Sequence, residues 1–317
     1  MTDYPISHVP NNPALKGFAH MVKDITFTDR EEDPLQLQLL LPWKLSDNEG
    51  NDLVYPAVVF VQGSSWTFPN VYYQLPQLAQ LARQGYVAAT VTHRSLLDGH
   101  QSPAFLKDVK TSIRFLRANA KKYHIDPEHI GIWGTSSGGN AALLVGLTAD
   151  IPEYKTAEWQ EQSDAVNFVV DCFGPTNTVL MVEQIQKAIA EFQTEIKNLS
   201  PGQQLQMQTE KLEQASTLEL GMQQFFGRPD GSLDMEKIQE ISPVHRIDAD
   251  KIYPPFLILH GDQDRTVKYE QSVLMYKALL DHGTVAEMIS VDGADHENDF
   301  WSQEILDAIG EFIAKHI

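Results

Sequence analysis

Residues 130–140, Ile-Gly-Ile-Trp-Gly-Thr-Ser-Ser-Gly-Gly-Asn, constrain the fold more than any other stretch of this 317-residue chain. An apolar run leads into a G-x-S-x-G match centred on Ser136, and a helix-favouring run follows. On a strand-to-helix turn this spacing holds the serine in a strained conformation, and a Cβ at Gly134 or Gly138 would clash. The Ser136 hydroxyl is then exposed, and the backbone N–H of Ser137 points to where an oxyanion would develop. Taken alone, these five residues also fit an ordinary glycine-rich turn.

The order of apolar and amphipathic segments predicts an α/β fold. Continuously apolar or alternating runs predict strands at residues 22–28, 35–41, 57–61, 86–91, 130–133, 168–170, 255–260 and 285–291. Helical patterns lie at residues 72–84, 103–123 and 301–317, and another helix is expected directly after the G-x-S-x-G segment. Because strands and helices alternate, we expect a mostly parallel sheet with helices on both faces. The run at 35–41 alternates in polarity, which predicts a half-exposed antiparallel strand.

Residues 176–240 break this alternation. They are rich in Gln, contain helix-favouring runs at 182–192 and 203–214, and show no clear strand. We interpret them as a helical cap inserted over the edge of the sheet, within a single domain that spans residues 1–317. The alternative is a surface excursion that has no role in binding.

Composition limits the partners of this chain. The formal net charge is −19, which argues against nucleic acid and against an anionic membrane surface. Cys172 is the only cysteine, so no internal disulfide is possible. We see neither a signal-peptide pattern nor an apolar run that spans a bilayer, so we expect a cytoplasmic protein. If the surface of the cap is apolar, it could pair with a second copy of the chain, so a homo-oligomer is one expectation. The sequence shows no metal-ligand spacing and no cofactor motif.

Three segments together resemble one protein family: G-T-S-S-G at 134–138, H-G-D-Q-D-R-T-V at 260–267 and G-A-D-H at 293–296. They are similar to the serine, acid and histidine segments of the α/β-hydrolase superfamily. Within it, the chain resembles the esterase/lipase group of hormone-sensitive-lipase-like carboxylesterases and bacterial feruloyl-esterase-like hydrolases. The resemblance runs from about residue 20 to the end, except for the cap. It implies an α/β-hydrolase fold and a catalytic triad of Ser136, Asp264 and His296, in the chain order of that fold.

The roles of the three residues follow from the chemistry of acyl transfer. A serine hydroxyl is a poor nucleophile at neutral pH, so Ser136 needs a base, and a histidine titrates in the right range. The imidazolium that forms needs a carboxylate to orient and stabilise it. Asp262 and Asp171 are alternative acids because each lies near the end of a predicted strand, whereas the resemblance points to Asp264. His260 ends a strand just before the acid segment, and we interpret it as structural.

An oxyanion hole needs another donor from the loop after the strand at 57–61. The family has His-Gly-Gly-Gly-Trp there, whereas this chain has Gln-Gly-Ser-Ser-Trp at 62–66. Backbone N–H groups are the donors, so serines can replace glycines where the backbone angles permit. By position, we predict that the N–H groups of Ser64 and Ser65 act together with that of Ser137.

Aromatic side chains follow this loop. Trp66, Phe68 and Tyr72 are candidates for an acyl or aryl pocket, and a purely core role is the alternative. We therefore predict a serine carboxylesterase for short-chain acyl or aryl esters, among them hydroxycinnamate esters and acetylated sugars; this substrate class rests on the resemblance. The alternatives are a serine peptidase of the prolyl-oligopeptidase kind and a non-catalytic binding protein on the same fold. The chain is too short for an added propeller, and all three triad positions are filled.

Overall fold

One eight-stranded sheet organises the chain. The computed structural model describes residues 7–30, 34–197 and 223–317. The strands are β1 (Ala19–Thr26), β2 (Gln36–Pro42), β3 (Tyr55–Val61), β4 (Val87–Val91), β5 (Ile125–Thr135), β6 (Val169–Cys172), β7 (Phe256–Gly261) and β8 (Ala286–Val291). Their order across the sheet is β1-β2-β4-β3-β5-β6-β7-β8. The pairs β1/β2 and β2/β4 are antiparallel and all others are parallel, which confirms the predicted mostly parallel sheet.

Helices cover both faces of this sheet, as expected. They are α1 (Leu75–Gln84), α2 (Ala104–Ala118), α3 (Ser137–Leu147), α4 (Thr178–Lys197), α5 (Met235–Glu240), α6 (Glu270–His282) and α7 (Gln303–His316). Helices α2 and α3 pack into one hydrophobic core with Val59, and α1 and α7 pack into a second core with Val58. Because neighbouring residues of a strand point to opposite faces, the two cores lie on opposite sides of β3.

The sequence patterns did not predict α6. This helix buries only four side chains, and two of them, Gln271 and Ser272, are polar. The apolar members are Met275 and Leu279. Other apolar side chains, Val273 and Leu280, are exposed. Because the apolar residues do not keep to one face, no helical period is visible, and the helix is recognised only from its packing.

The expectation of a half-exposed strand at 35–41 was wrong. Every residue of β2 after its first is buried. Leu39 packs into one core and Leu40 into the other, so both faces of the strand are covered. The polar Gln38 is accommodated because its Oε1 accepts a hydrogen bond of 2.7 Å from the backbone N–H of Asp24 on β1. The alternation of polar and apolar residues in β2 therefore does not mark an exposed face. It reflects a buried polar side chain that hydrogen-bonds to the neighbouring edge strand β1.

Three strands bring the predicted site residues to one edge of the sheet. Ser136 directly follows β5, Asp264 lies three residues beyond β7, and His296 lies five residues beyond β8. These strands are parallel members of the same sheet, so their carboxyl ends lie at the same edge.

The predicted cap contains α4 and α5, which pack against each other. The N–H of Thr178, the first residue of α4, donates to Ser242 Oγ at 2.8 Å, just beyond α5. The predicted helical run at 203–214 lies outside the described residues. The reading of residues 176–240 as a cap over the site stays a prediction.

Candidate active site

The site begins at the turn between β5 and α3. Ser136 has φ 50° and ψ −123°, a backbone conformation that side-chain-bearing residues rarely adopt. Its N–H donates to the carbonyl of Cys172 at 2.9 Å, and its own carbonyl accepts from the N–H of Asn140 at 3.0 Å. Such a conformation costs about 1–3 kcal/mol and persists only where the surroundings hold it. Here β6 on one side and α3 on the other hold the turn.

Close packing explains the two glycines of this turn. A Cβ on Gly134 would lie 2.0 Å from the carbonyl oxygen of Gly138, and a Cβ on Gly138 would lie 2.0 Å from that of Val61. Both distances are far below van der Waals contact, and both neighbours are backbone atoms that cannot rotate away. The expected clash on either side of Ser136 is confirmed.

Ser136, His296 and Asp264 form one hydrogen-bonded chain. His296 Nε2 lies 3.1 Å from Ser136 Oγ, and His296 Nδ1 lies 2.6 Å from Asp264 Oδ2. The Asp264 side chain is completely buried, whereas that of His296 is 14% exposed. The ring of Phe173 packs edge-on against the imidazole, with 4.7 Å between the ring centroids. The carboxylate accepts from Nδ1–H, so Nε2 is free to accept the serine proton.

Asp264 is held by hydrogen bonds from several donors. Its Oδ1 accepts from the N–H groups of Thr266 and Val267, each at 2.8 Å. Its Oδ2 lies near His296 and also 3.1 Å from His260 Nε2. Burial by itself raises the pKa of the Asp264 carboxyl, but the hydrogen bonds from His260, His296 and Val267 outweigh burial and hold this pKa well below its usual range. The group is therefore ionised at neutral pH and can stabilise an imidazolium.

The two alternative acids make other hydrogen bonds. Asp262 Oδ1 accepts from the N–H of Gly293 at 2.7 Å, which ties the acid loop to the histidine loop. Asp171 is fully buried, and its Oδ1 accepts from the N–H of Gly174 at 3.0 Å. Burial raises the pKa of Asp171 to about 8, against the smaller opposing effect of the Gly174 hydrogen bond. A carboxyl that is protonated at neutral pH is a poor partner for an imidazolium.

The predicted oxyanion loop follows β3. The N–H of Gly63 donates to Thr135 Oγ1 and that of Ser64 donates to Ser137 Oγ, each at 2.9 Å. Ser65 has a φ of 52°, which turns the loop sharply. Within the described part of the chain, the N–H groups of Ser65 and Ser137 have no acceptor. Two of the three predicted donors are thus free, whereas the third is occupied by a neighbouring hydroxyl that the sequence patterns did not single out.

The three aromatic candidates differ in placement. Trp66 is buried, and its ring lies 6.2 Å from that of Phe225 and 6.1 Å from that of Phe226, centroid to centroid. Phe68 and Tyr72 are 61% and 53% exposed. Trp66 is therefore packed between the oxyanion loop and the cap region, and the other two rings are open to solvent. Their contact with substrate stays a prediction.

Asn140 is a site residue that sequence reasoning missed. It is buried one turn after Ser136 on α3. Its Oδ1 accepts from Trp66 Nε1 at 3.2 Å, and its Nδ2 donates to the carbonyls of Pro175 and Ile241 at 2.8 and 2.9 Å. One side chain thus links the nucleophile helix, the oxyanion loop and the return from the cap region. An Asn in an otherwise small and apolar helix was the available signal, because a buried amide needs partners.

Across the described ranges, no three or more His, Cys, Asp or Glu side chains are grouped so that they could hold a metal ion. A helix of the length and apolarity that a bilayer crossing requires is also absent from these ranges.

Comparison with known proteins identifies related chains. A family model described as BD-FAE matches residues 44–279, a span that includes Ser136 and Asp264 and ends before His296. Esterase LipC of Mycobacterium tuberculosis is 28% identical over 243 residues, which cover 76% of this chain and 51% of the relative. Arylacetamide deacetylase of Bos taurus is 29% identical over 143 residues, which cover 44% of this chain and 33% of the relative. The chain spans about half the length of the mycobacterial relatives that it matches.

Solved structures share the fold over nearly the whole chain. A truncated form of a carbohydrate esterase from gut microbiota superposes with a TM-score of 0.71 at 27% identity, and the match covers 96% of this chain and 99% of that one. A bifunctional GH43-CE protein of Bacteroides eggerthii gives a TM-score of 0.68 at 27% identity, covering 93% of this chain and 38% of that one.

Proposed function

Because the chain belongs to the BD-FAE family, a group of esterase/lipase-like α/β-hydrolases, we propose that it is a serine carboxylesterase that works through an acyl-enzyme. The observation that carries the proposal is the continuous hydrogen-bonded chain from Ser136 through His296 to Asp264. A half-buried serine, a base within reach and a buried ionised carboxylate are the components that nucleophilic acyl transfer requires. Matched relatives that are named esterases support the same reaction class.

The proposed reaction uses each group in turn. Ser136 Oγ attacks the ester carbonyl while His296 Nε2 takes the serine proton, and Asp264 stabilises the imidazolium. The negative charge on the carbonyl oxygen is stabilised by the N–H groups of Ser65 and Ser137. His296 then gives its proton to the leaving alcohol, and an acyl-serine remains. Water, deprotonated by the same histidine, then attacks the carbonyl of the acyl-enzyme. The bond between the acyl carbon and Ser136 Oγ breaks, His296 returns its proton to Oγ, and the carboxylic acid is released.

The proposed substrates are short-chain acyl or aryl esters, with acetylated sugars and hydroxycinnamate esters as the first candidates. The similarity to a carbohydrate esterase over nearly the full chain supports the sugar esters. The two exposed rings of Phe68 and Tyr72, which follow the oxyanion loop, supply flat apolar surface for an aryl group or for the face of a sugar. A cytoplasmic location and a homo-oligomer stay sequence-based predictions, which cell fractionation and light scattering test.

The test is hydrolysis of p-nitrophenyl esters from acetate to decanoate, of methyl ferulate and of an acetylated xylo-oligosaccharide. Wild type is compared with Ser136→Ala and with the control Ser112→Ala, which removes a buried hydroxyl whose hydrogen bond among the described residues goes to the carbonyl of Val109 within α2. We expect turnover of short or aryl esters by wild type and control, and a loss of about 10⁴-fold or more in Ser136→Ala. Equal activity of wild type and Ser136→Ala would contradict the proposal. A wild type that hydrolyses peptides and no ester would favour the peptidase alternative.

A further inference from the structure

His260 makes contacts that the reaction described above does not use. It is the penultimate residue of β7, four residues before Asp264, and its side chain is completely buried. Its Nε2 lies 3.1 Å from Asp264 Oδ2 and 2.9 Å from the carbonyl oxygen of Val267. Its Nδ1 lies 2.6 Å from Ser272 Oγ on α6. Both ring nitrogens are therefore committed to named partners in a site closed to solvent.

These partners define the protonation of the ring. A carboxylate and a carbonyl oxygen can only accept hydrogen bonds, so His260 Nε2 must carry a hydrogen. A neutral ring then has an unprotonated Nδ1, which accepts a hydrogen bond from the Ser272 hydroxyl. The hydrogen bonds thus place a hydrogen on His260 Nε2, and in the neutral ring they make Ser272 the donor to Nδ1.

His260 also closes the turn that carries the acid. The Val267 N–H donates to Asp264 Oδ1 on one side of this turn, and the Val267 carbonyl faces His260 Nε2 on the other. Asp264 Oδ2 lies between the two histidines. Rotation of the carboxylate away from His296 would break the hydrogen bonds on both of its oxygens, so the His260 contact opposes that rotation.

We propose that His260 is a positioning residue for the acid of the triad, with Ser272 selecting the tautomer that donates to Asp264 Oδ2. The inference rests on the proposed esterase function and deepens it. It revises the sequence-based reading of His260 as merely structural. None of the hydrogen bonds of His260 to the described residues reaches Ser136, and we infer that it acts through Asp264.

The test compares His260→Leu, which removes the donor, with His260→Gln, whose side-chain N–H₂ keeps one. A hydrogen bond to a charged group is worth enough to change a rate about 10- to 100-fold. We expect kcat of His260→Leu to fall by about that factor with KM within about twofold of wild type. His260→Gln should recover most of this loss at an equal thermal midpoint. Ser272→Ala should give an intermediate loss, whereas Ser112→Ala on α2 should give none.

Two measurements do not depend on which ester is the substrate. Labelling of Ser136 by a fluorophosphonate should slow in His260→Leu and recover in His260→Gln. Nitrogen-15 NMR of the wild type should show a hydrogen on His260 Nε2. A neutral ring with its hydrogen on Nδ1 would overturn the proposal even if His260→Leu failed to fold. Equal kcat for the Leu and Gln variants would also overturn it, whereas a wild type that labels normally but hydrolyses no ester would contradict only the proposed function.

Discussion

Replacing Asp171 with Asn should make the protein more resistant to unfolding as the pH rises. Asp171 lies in β6 beneath the nucleophile turn, where its Oδ1 accepts from the N–H of Gly174. Its Oδ2 is buried and has no hydrogen-bond partner among the described residues. Asn has nearly the same shape and keeps the acceptor, but it cannot ionise. The substitution therefore isolates the effect of a buried carboxyl on stability.

The magnitude follows from the pKa of this group. Burial raises the pKa of Asp171 to about 8 from an ordinary value of 3.8. The unfolded chain ionises above pH 4 while the folded chain keeps its proton, so the free energy of unfolding falls by about 1.4 kcal/mol for each pH unit. Asp171 by itself should thus lower the free energy of unfolding by about 6 kcal/mol between pH 4 and pH 8, and this contribution does not grow further above pH 8. Asp171→Asn lacks this contribution.

The assay is urea unfolding of both proteins at pH 5, 7 and 9, followed by tryptophan fluorescence. All other titrating groups are common to the two proteins, so their contributions cancel in the difference between the unfolding free energies. We expect that difference to shift in favour of Asp171→Asn by several kcal/mol between pH 5 and pH 9. A difference that is independent of pH would refute the assignment of Asp171 as a buried neutral acid.

Three further substitutions test the site. Asp264→Asn should lower kcat by about 10³-fold or more with little change in KM, because the imidazolium loses its carboxylate, and an unchanged kcat in ester hydrolysis would argue for another acid. Ser137→Ala removes the acceptor of the Ser64 N–H, which is then free to bind the oxyanion. Because an internal hydrogen bond has a net worth of about 1 kcal/mol, we expect kcat of ester hydrolysis to rise about fivefold. A fall in kcat would mean that the Ser137 hydroxyl is itself a donor. Asn140→Ala removes three buried hydrogen bonds and should lower the free energy of unfolding by about 3 kcal/mol in urea titration, whereas a change below 1 kcal/mol would contradict the linking role.

Several features of the fold and of the site could be predicted from short sequence patterns. The expectation that a Cβ at Gly134 or Gly138 would clash depended only on the geometry of a strand-to-helix turn, and the structure confirms it. The resemblance of three segments to the α/β-hydrolase superfamily implied a triad of Ser136, Asp264 and His296, and the structure brings these side chains within hydrogen-bond distance. Their catalytic roles stay predictions.

Other features depended on packing that no local pattern reveals. The apolar residues of helix α6 lie on exposed as well as buried sides, so the sequence shows no helical period there, yet this helix contributes Ser272, which hydrogen-bonds to His260. The role of Asn140 depends on carbonyls at 175 and 241, far along the chain. The occupation of the Ser64 N–H by Ser137 depends on how closely β3 approaches α3.

The sequence by itself determined the alternation of strands and helices, the glycines of the nucleophile turn and the residue types for acyl transfer, because each depends on a few neighbouring residues. Tertiary structure alone decided which carboxylate faces His296, which loop amides stay free and which histidine supports the acid. Those choices are distances between segments up to 160 residues apart, and they are set by the sheet register and by core packing. Contacts between side chains that follow different strands can be recognised only once the positions of those strands in the sheet are known.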